Sequence, residues 1–161
     1  MQTVYWVATD GAGRLGTMAR PRGGEWLVDD LAALRGAGVN TLVTLLTEPE
    51  RDELELAELP SCCQACGLEW AALPIPDLDV PPLNAATVAF VARIVEGLRA
   101  GRQIVIHCRQ GIGRSSLIAA SALAMLDIAP SQAFMRISAA RGRPVPDTDA
   151  QRAWVERFAG A

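Results

Sequence analysis

At 161 residues, half of them hydrophobic and a fifth charged, the chain suits a single core, since a domain of this length buries roughly 70% of the surface its unfolded form exposes. A net charge of −3 argues against the broad basic face of a general nucleic-acid binder but leaves room for a local basic pocket. No run approaches the roughly 18 apolar residues of a membrane span, and the N-terminal "MQTVYWVATDGAGR" lacks an export signal's basic, apolar and cleavage regions. The expectation is one soluble, cytoplasmic domain over residues 1–161.

In chain order, Thr3 to Ala8 is a short β-branched and aromatic run that predicts a first strand. "EWLVDDLAALRGAG" sets Leu27, Leu31 and Leu34 on one helical face and stops at glycines. Val39 to Leu46 reads as a buried strand, followed by an acidic helix from about Pro49 to Leu59. "LEWAALPI" predicts another strand, ended by Pro74 and Pro76. Asn84 is a candidate N-cap for a helix carrying Val88, Val91, Val95 and Leu98 up to Gly101. "QIVIH" predicts a further strand. Helices are then expected over Gly113 to Leu126, Ser131 to Ala140 (capped by Ser131) and Thr148 to Phe158. "ATDGAGRLGTMARPRGG" and "LPIPDLDVPP" are left as irregular stretches. Strands alternating with helices define an α/β class, with a central, mainly parallel sheet flanked by helices on both faces.

Two motifs invite readings that their surroundings do not support. "GAGRLG", Gly11 to Gly16, satisfies G-x-G-x-x-G, but runs into Pro21, Gly23 and Gly24 where a dinucleotide site needs a helix. "CCQAC" offers Cys63-x-x-Cys66, yet a zinc site would want a second ligand pair, and the only histidine is His107. Packing of small residues at a helix end is the reading taken for Cys62, Cys63 and Cys66.

"HCRQGIGRSS", His107 to Ser116, is different in kind. It puts Cys108 at the C-terminal end of a strand, where open α/β sheets bind ligands, directly before a glycine loop and a helix. Successive N–H groups of such a loop and the positive end of the helix dipole create an anion site, a setting that favours thiolates. Cys108 is therefore the candidate nucleophile. Arg114 closes the loop with a guanidinium suited to two phosphate oxygens, and Ser115 is placed to hydrogen-bond the sulfur. His107, Arg109, Gln110, Gly111, Ile112 and Gly113 complete the expected phosphate-binding loop, His107 as an orienting group. Arg20 and Arg22 are weaker candidates for substrate contact.

The run His-Cys-x5-Arg-Ser resembles the signature of the cysteine-dependent protein tyrosine phosphatase superfamily, and the whole chain resembles its compact dual-specificity and cyclin-dependent-kinase-inhibitor-associated branch. That resemblance implies the protein tyrosine phosphatase-like fold and a phosphocysteine mechanism without metal or other cofactor. Asp77 in "PIPDLDVP" matches the family's general acid, expected to protonate the leaving group and then to take a proton from water, with Asp79 as the competing carboxylate. "VPDTDAQRAWV" resembles the segment supplying a water-orienting glutamine, here Gln151. The expected substrates are phosphorylated proteins or small phosphomonoesters, phosphotyrosine and phosphoserine or phosphothreonine alike. A phosphate-recognition module without turnover and a sulfurtransferase are the alternatives. The first usually loses the cysteine or the acid, and the second does not require Asp77 and Arg114 in these roles.

Overall fold

The structure, a computed structural model, describes residues 2–11 and 13–161. Its five strands are β1 (Tyr5–Val7), β2 (Arg14–Met18), β3 (Thr41–Thr44), β4 (Glu69–Ala72) and β5 (Gln103–His107). They form one mixed sheet in the order β1-β2-β5-β3-β4, parallel throughout except for β1, which runs antiparallel to β2 at one edge. The helices are α1 (Leu27–Gly36), α2 (Glu48–Glu53), α3 (Leu59–Cys66), α4 (Ala85–Arg99), α5 (Arg114–Met125), α6 (Pro130–Arg141) and α7 (Asp149–Gly160), with a short 3-10 turn at Gly24–Trp26.

Because successive strand residues point to opposite faces, β5 feeds two cores. Ile104 and Ile106 join the core beneath α4 to α7, while Val105 joins the one beneath α1 and α3. β3 divides in the same way, with Val43 on the first face and Leu42 on the second. Each such fully buried side chain contributes roughly 1.5–3 kcal/mol. At the centre lies α5, every residue of which from Arg114 to Leu123 is buried. The parallel strands all end on one side, with Thr44 and Met18 both in register with His107, and Cys108 follows on that edge.

Several expectations hold in detail. Asn84 caps α4 by accepting from the Thr87 N–H at 3.0 Å, and Thr148 caps α7. Others need correction. "RLGTM" is not irregular but is strand β2, lodged between β1 and β5. Gly16 is required there: a Cβ would come within 2.6 Å of the Val4 side chain and 3.0 Å of the Trp6 ring. The glycine pattern of residues 11–16 thus serves a strand and opens no helix; its Ala12 lies outside the described residues. The helix expected over residues 49–59 is two helices, because Glu55 takes a positive φ of 58° and Pro60 fits only the first turn of a new helix. "CCQAC" lies in that new helix, α3, where Cys63 is fully buried and its thiol is pushed up to about 12, by burial first and then by Cys66 and Cys62. Lastly, α6 starts one residue before Ser131: Ala129 is the N-cap, and Pro130 fills the first turn.

Candidate active site

Between β5 and α5 the loop from Cys108 to Gly113 is held from behind by its carbonyls. The Cys108 carbonyl accepts from His107 Nδ1 at 3.1 Å, and the Arg109 carbonyl from the Arg20 N–H at 3.2 Å. The Gln110 and Gly111 carbonyls accept from the guanidinium of Arg141, at the end of α6, at 3.4 and 3.3 Å. Arg141 is itself stacked over the Tyr5 ring at 4.4 Å. Gly111 has a φ of +72°, and a Cβ there would strike the Met18 and Ala19 backbone at 2.6–2.8 Å. With the carbonyls bound outward, the N–H groups from Arg109 to Gly113 donate to no described protein acceptor. Unpaired amides in a row before a helix start are an anion cradle.

Cys108, 3% exposed, lines this cradle, with Sγ 3.4 Å from Ser115 Oγ. A hydrogen-bond chain behind it fixes His107. Trp70 Nε1 donates to Thr44 Oγ1 at 3.0 Å, and Thr44 Oγ1 lies 2.8 Å from His107 Nε2. Since the Cys108 carbonyl can only accept, Nδ1 carries the proton and the Thr44 hydroxyl donates to Nε2. Burial first, and then the Arg114 charge, push this imidazole down to about 4, against a partial rise from its bond to the Cys108 carbonyl. It is therefore neutral at pH 7.

Arg114 is almost fully buried, and its two terminal nitrogens are engaged by protein while Nε–H has no partner among the described residues. Its guanidinium grips Glu50 with two bonds of 2.7 and 3.0 Å, donates to the Ile75 carbonyl at 2.7 Å and reaches Asp77 Oδ1 at 3.1 Å. Burial alone would raise the Glu50 carboxyl, but the hydrogen bonds and charge of Arg114, together with the Thr47 bonds, hold it down at about 2. Glu50 also meets Arg109 Nε at 3.4 Å, and Arg109 reaches Glu53. Sequence reasoning missed Glu50, although one signal was present: Thr47 and Glu50 form a capping box at the start of α2.

These groups surround a pocket of about 220 Å³ lined by Asp77, Leu78, Cys108, Arg109, Gln110, Ile112, Gly113, Arg114 and Asp147. Asp77 stands on its rim and accepts from the Leu78 N–H. Asp79 is not in the lining; its carboxylate accepts from its own neighbour, the Val80 N–H. Gln151 is fully buried behind Gly113: its Oε1 accepts from the Asp147 and Thr148 N–H groups, and its Nε2 donates to the Asp79 carbonyl. Asp147 was also missed by sequence reasoning. Of the two weaker candidates, Arg22 is paired with Asp30 at 2.6 Å and stacked on Trp26, whereas Arg20 touches the loop through its backbone.

A cysteine, an amide cradle and an arginine on a strand-loop-helix frame define the cysteine-dependent phosphatase class. Within that class the chain belongs to the family described as "Polymorphic toxin system, DSP-PTPase phosphatase", whose model matches residues 16–126. Human cyclin-dependent kinase inhibitor 3 is 28% identical over 131 residues, covering 80% of this chain and 61% of that protein. The putative tyrosine phosphatase 067L of invertebrate iridescent virus 3 is 31% identical over 113 residues, 68% of this chain and 44% of the viral one. The chain therefore spans only 61% and 44% of the length of these two curated relatives. Among solved structures, kinase associated phosphatase with its catalytic-site cysteine replaced by serine superposes with a TM-score of 0.88 at 23% identity, over 99% of this chain and 94% of that one. Tk-PTP in its active form gives 0.75 at 21% identity, over 97% of each chain. Both share the fold.

Proposed function

We propose that this protein hydrolyses phosphomonoesters through a phosphocysteine intermediate. The observation that carries the reading is the row of unpaired amides around Cys108, closed by an Arg114 already fixed in place. The amides from Arg109 to Gly113 and the Arg114 guanidinium hold the phosphoryl oxygens. Cys108 Sγ attacks phosphorus as the bond to the leaving oxygen breaks, and Asp77, on the rim, protonates that oxygen. Asp77, ionised by that transfer, then takes a proton from the attacking water, the phosphorus–sulfur bond breaks, and Ser115 hydrogen-bonds the departing sulfur as inorganic phosphate is released. His107 orients the loop through the Cys108 carbonyl and transfers no proton. Fixed donors aimed at developing charge supply most of the rate in phosphoryl transfer.

No aromatic side chain is among the pocket-lining residues, which supports an opening that admits alkyl as well as aryl phosphates, hence phosphoserine and phosphothreonine beside phosphotyrosine. Relatives named for kinases support a phosphoprotein substrate. No helix of the described residues is long and apolar enough to cross a membrane, and four free thiols suit the reducing cytoplasm where we place the chain.

The test is phosphate release from p-nitrophenyl phosphate by wild type and Cys108→Ser, with vanadate as inhibitor and thiosulfate as competing substrate. Turnover by the wild type, its block by vanadate and its loss in the serine variant are expected. Undiminished hydrolysis by Cys108→Ser, or sulfur transfer from thiosulfate in place of phosphate release, would overturn the reading.

A further inference from the structure

The hydrogen-bond chain behind Cys108 crosses three strands. Trp70 on β4 donates from Nε1 to Thr44 Oγ1 on β3 at 3.0 Å, Thr44 Oγ1 lies 2.8 Å from His107 Nε2 on β5, and His107 Nδ1 lies 3.1 Å from the Cys108 carbonyl oxygen. Thr44 and His107 stand opposite each other in the parallel register, and both are fully buried. Both ends of the chain run one way only, since an indole N–H can only donate and a carbonyl can only accept. Every hydrogen between them is thereby assigned: Trp70 gives to Thr44, the Thr44 hydroxyl gives to Nε2, and Nδ1–H gives to Cys108. Neither the other tautomer nor the imidazolium fits. Each puts a hydrogen on Nε2, so Thr44, already accepting from Trp70, would have to accept twice and leave its own hydrogen buried without a partner.

What the chain holds is a peptide plane. The Cys108 carbonyl and the Arg109 N–H belong to one trans peptide and point to opposite sides. A carbonyl drawn back to His107 therefore leaves the Arg109 N–H on the side of the anion cradle, with no described protein acceptor. An amide so placed stabilises a neighbouring anion. Resting on the reading of Cys108 as nucleophile, we propose that Thr44 and Trp70 are positioning residues for it: by fixing the His107 tautomer, they keep the first amide of the cradle turned to the sulfur and so set how readily Cys108 reacts. Neither residue lines the pocket around Cys108. The charged groups about the site are Arg109 and Arg114, Glu50 and Glu53 on α2, and Asp77 and Asp147 on the rim, with Arg51 packed 5.4 Å from the Trp70 ring centroid. All of them remain when Thr44 or Trp70 is changed, so a change in the thiol reports the chain of hydrogen bonds.

The test reads the thiol itself and needs no turnover. Wild type, Thr44→Val, Thr44→Ser and Trp70→Phe are alkylated with iodoacetamide across a pH series, modification at Cys108 is followed by peptide mass spectrometry, and the imidazole of His107, the chain's only histidine, is followed by nitrogen NMR. Wild type should carry its imidazole hydrogen on Nδ1. Thr44→Val removes the hydroxyl at nearly constant volume and should slow alkylation of Cys108 about tenfold at pH 6, as for loss of a hydrogen bond to a charged group, with the rates converging as pH rises. Trp70→Phe frees the Thr44 hydroxyl to turn and should act in the same direction by less, whereas Thr44→Ser, which keeps the hydroxyl, should restore the wild-type profile. A wild-type alkylation profile in a folded Thr44→Val or in Trp70→Phe, or a hydrogen on Nε2 in wild type, overturns the assignment. Should Thr44→Val fail to fold, Trp70→Phe, at a half-buried position, decides alone. Slowed alkylation in the variants of a protein that releases no phosphate upholds the positioning role and overturns the phosphatase reading.

Discussion

Glu50→Gln removes one charge from the pair that fixes Arg114 while preserving volume. A carboxyl held at about 2 against its ordinary 4.5 corresponds to about 3 kcal/mol at neutral pH, each pH unit being worth about 1.4 kcal/mol. Solvent at a side chain 12% exposed trims this to about 2–3 kcal/mol. The folded value lies below the unfolded one, so the contribution is complete above pH 4.5 and is lost as pH falls through 2. Wild type should therefore exceed Glu50→Gln by about 2–3 kcal/mol at pH 7, or about 5–10 °C in Tm for a chain of this length. The gap should narrow steadily below pH 4.5. Urea unfolding followed by tryptophan fluorescence at pH 7, 4.5 and 3 measures it directly. A gap of the same size at pH 7 and pH 3, or no gap at either, would refute the claim that Arg114 keeps Glu50 ionised in the fold.

Across a leaving-group series, Asp77→Asn should depress hydrolysis of alkyl phosphates by about 10²–10⁴-fold and of activated aryl phosphates far less, whereas Asp79→Asn should leave the series unchanged; exchanged behaviours would move the acid to Asp79. His107, held near 4 against an ordinary 6.5, binds a proton in the unfolded chain before it does so in the fold. Its contribution, on the order of 3 kcal/mol, is whole above pH 6.5 and lost as pH falls through 4. Unfolding curves over that interval should show the loss in wild type and less of it in His107→Asn. Arg141→Gln releases the Gln110 and Gly111 carbonyls, so vanadate binding should weaken and Arg141→Lys should restore part of it; equal vanadate affinity in all three proteins would remove Arg141 from the loop's support.

The candidate phosphate loop was legible because its chemistry is local: Cys108, Gly111, Gly113, Arg114 and Ser115 lie within eight residues, between a strand and a helix whose periodicities are plain. Asp77 was legible only through its resemblance to a known acid loop. Glu50 and Asp147 were not, since each reaches the site by tertiary placement. Glu50 is 64 residues from Arg114, and its capping-box spacing signals a helix start without telling what else the carboxylate holds. Asp147 is made relevant by the lack of a side chain on Gly113, a relation across the fold that no spacing encodes. β2 escaped for a related reason. Covered on both faces and interrupted by Gly16, "RLGTM" shows neither alternation nor a β-branched run, and its strand character comes from the neighbours it pairs with.

The burial of α5 on every side bears on how the protein fails when heated. Arg114 and Ser115 form the first turn of a helix that touches α4, α6, α7, β2 and β5, so these candidate site residues are not carried on a separately melting segment. Amide protons in the middle of α5 belong with the slowest-exchanging set of the molecule, opening only as the whole structure opens. Loss of the proposed activity on heating should therefore follow the cooperative unfolding of the sheet and its helices, and the temperature at which it stops would report the stability of the entire core.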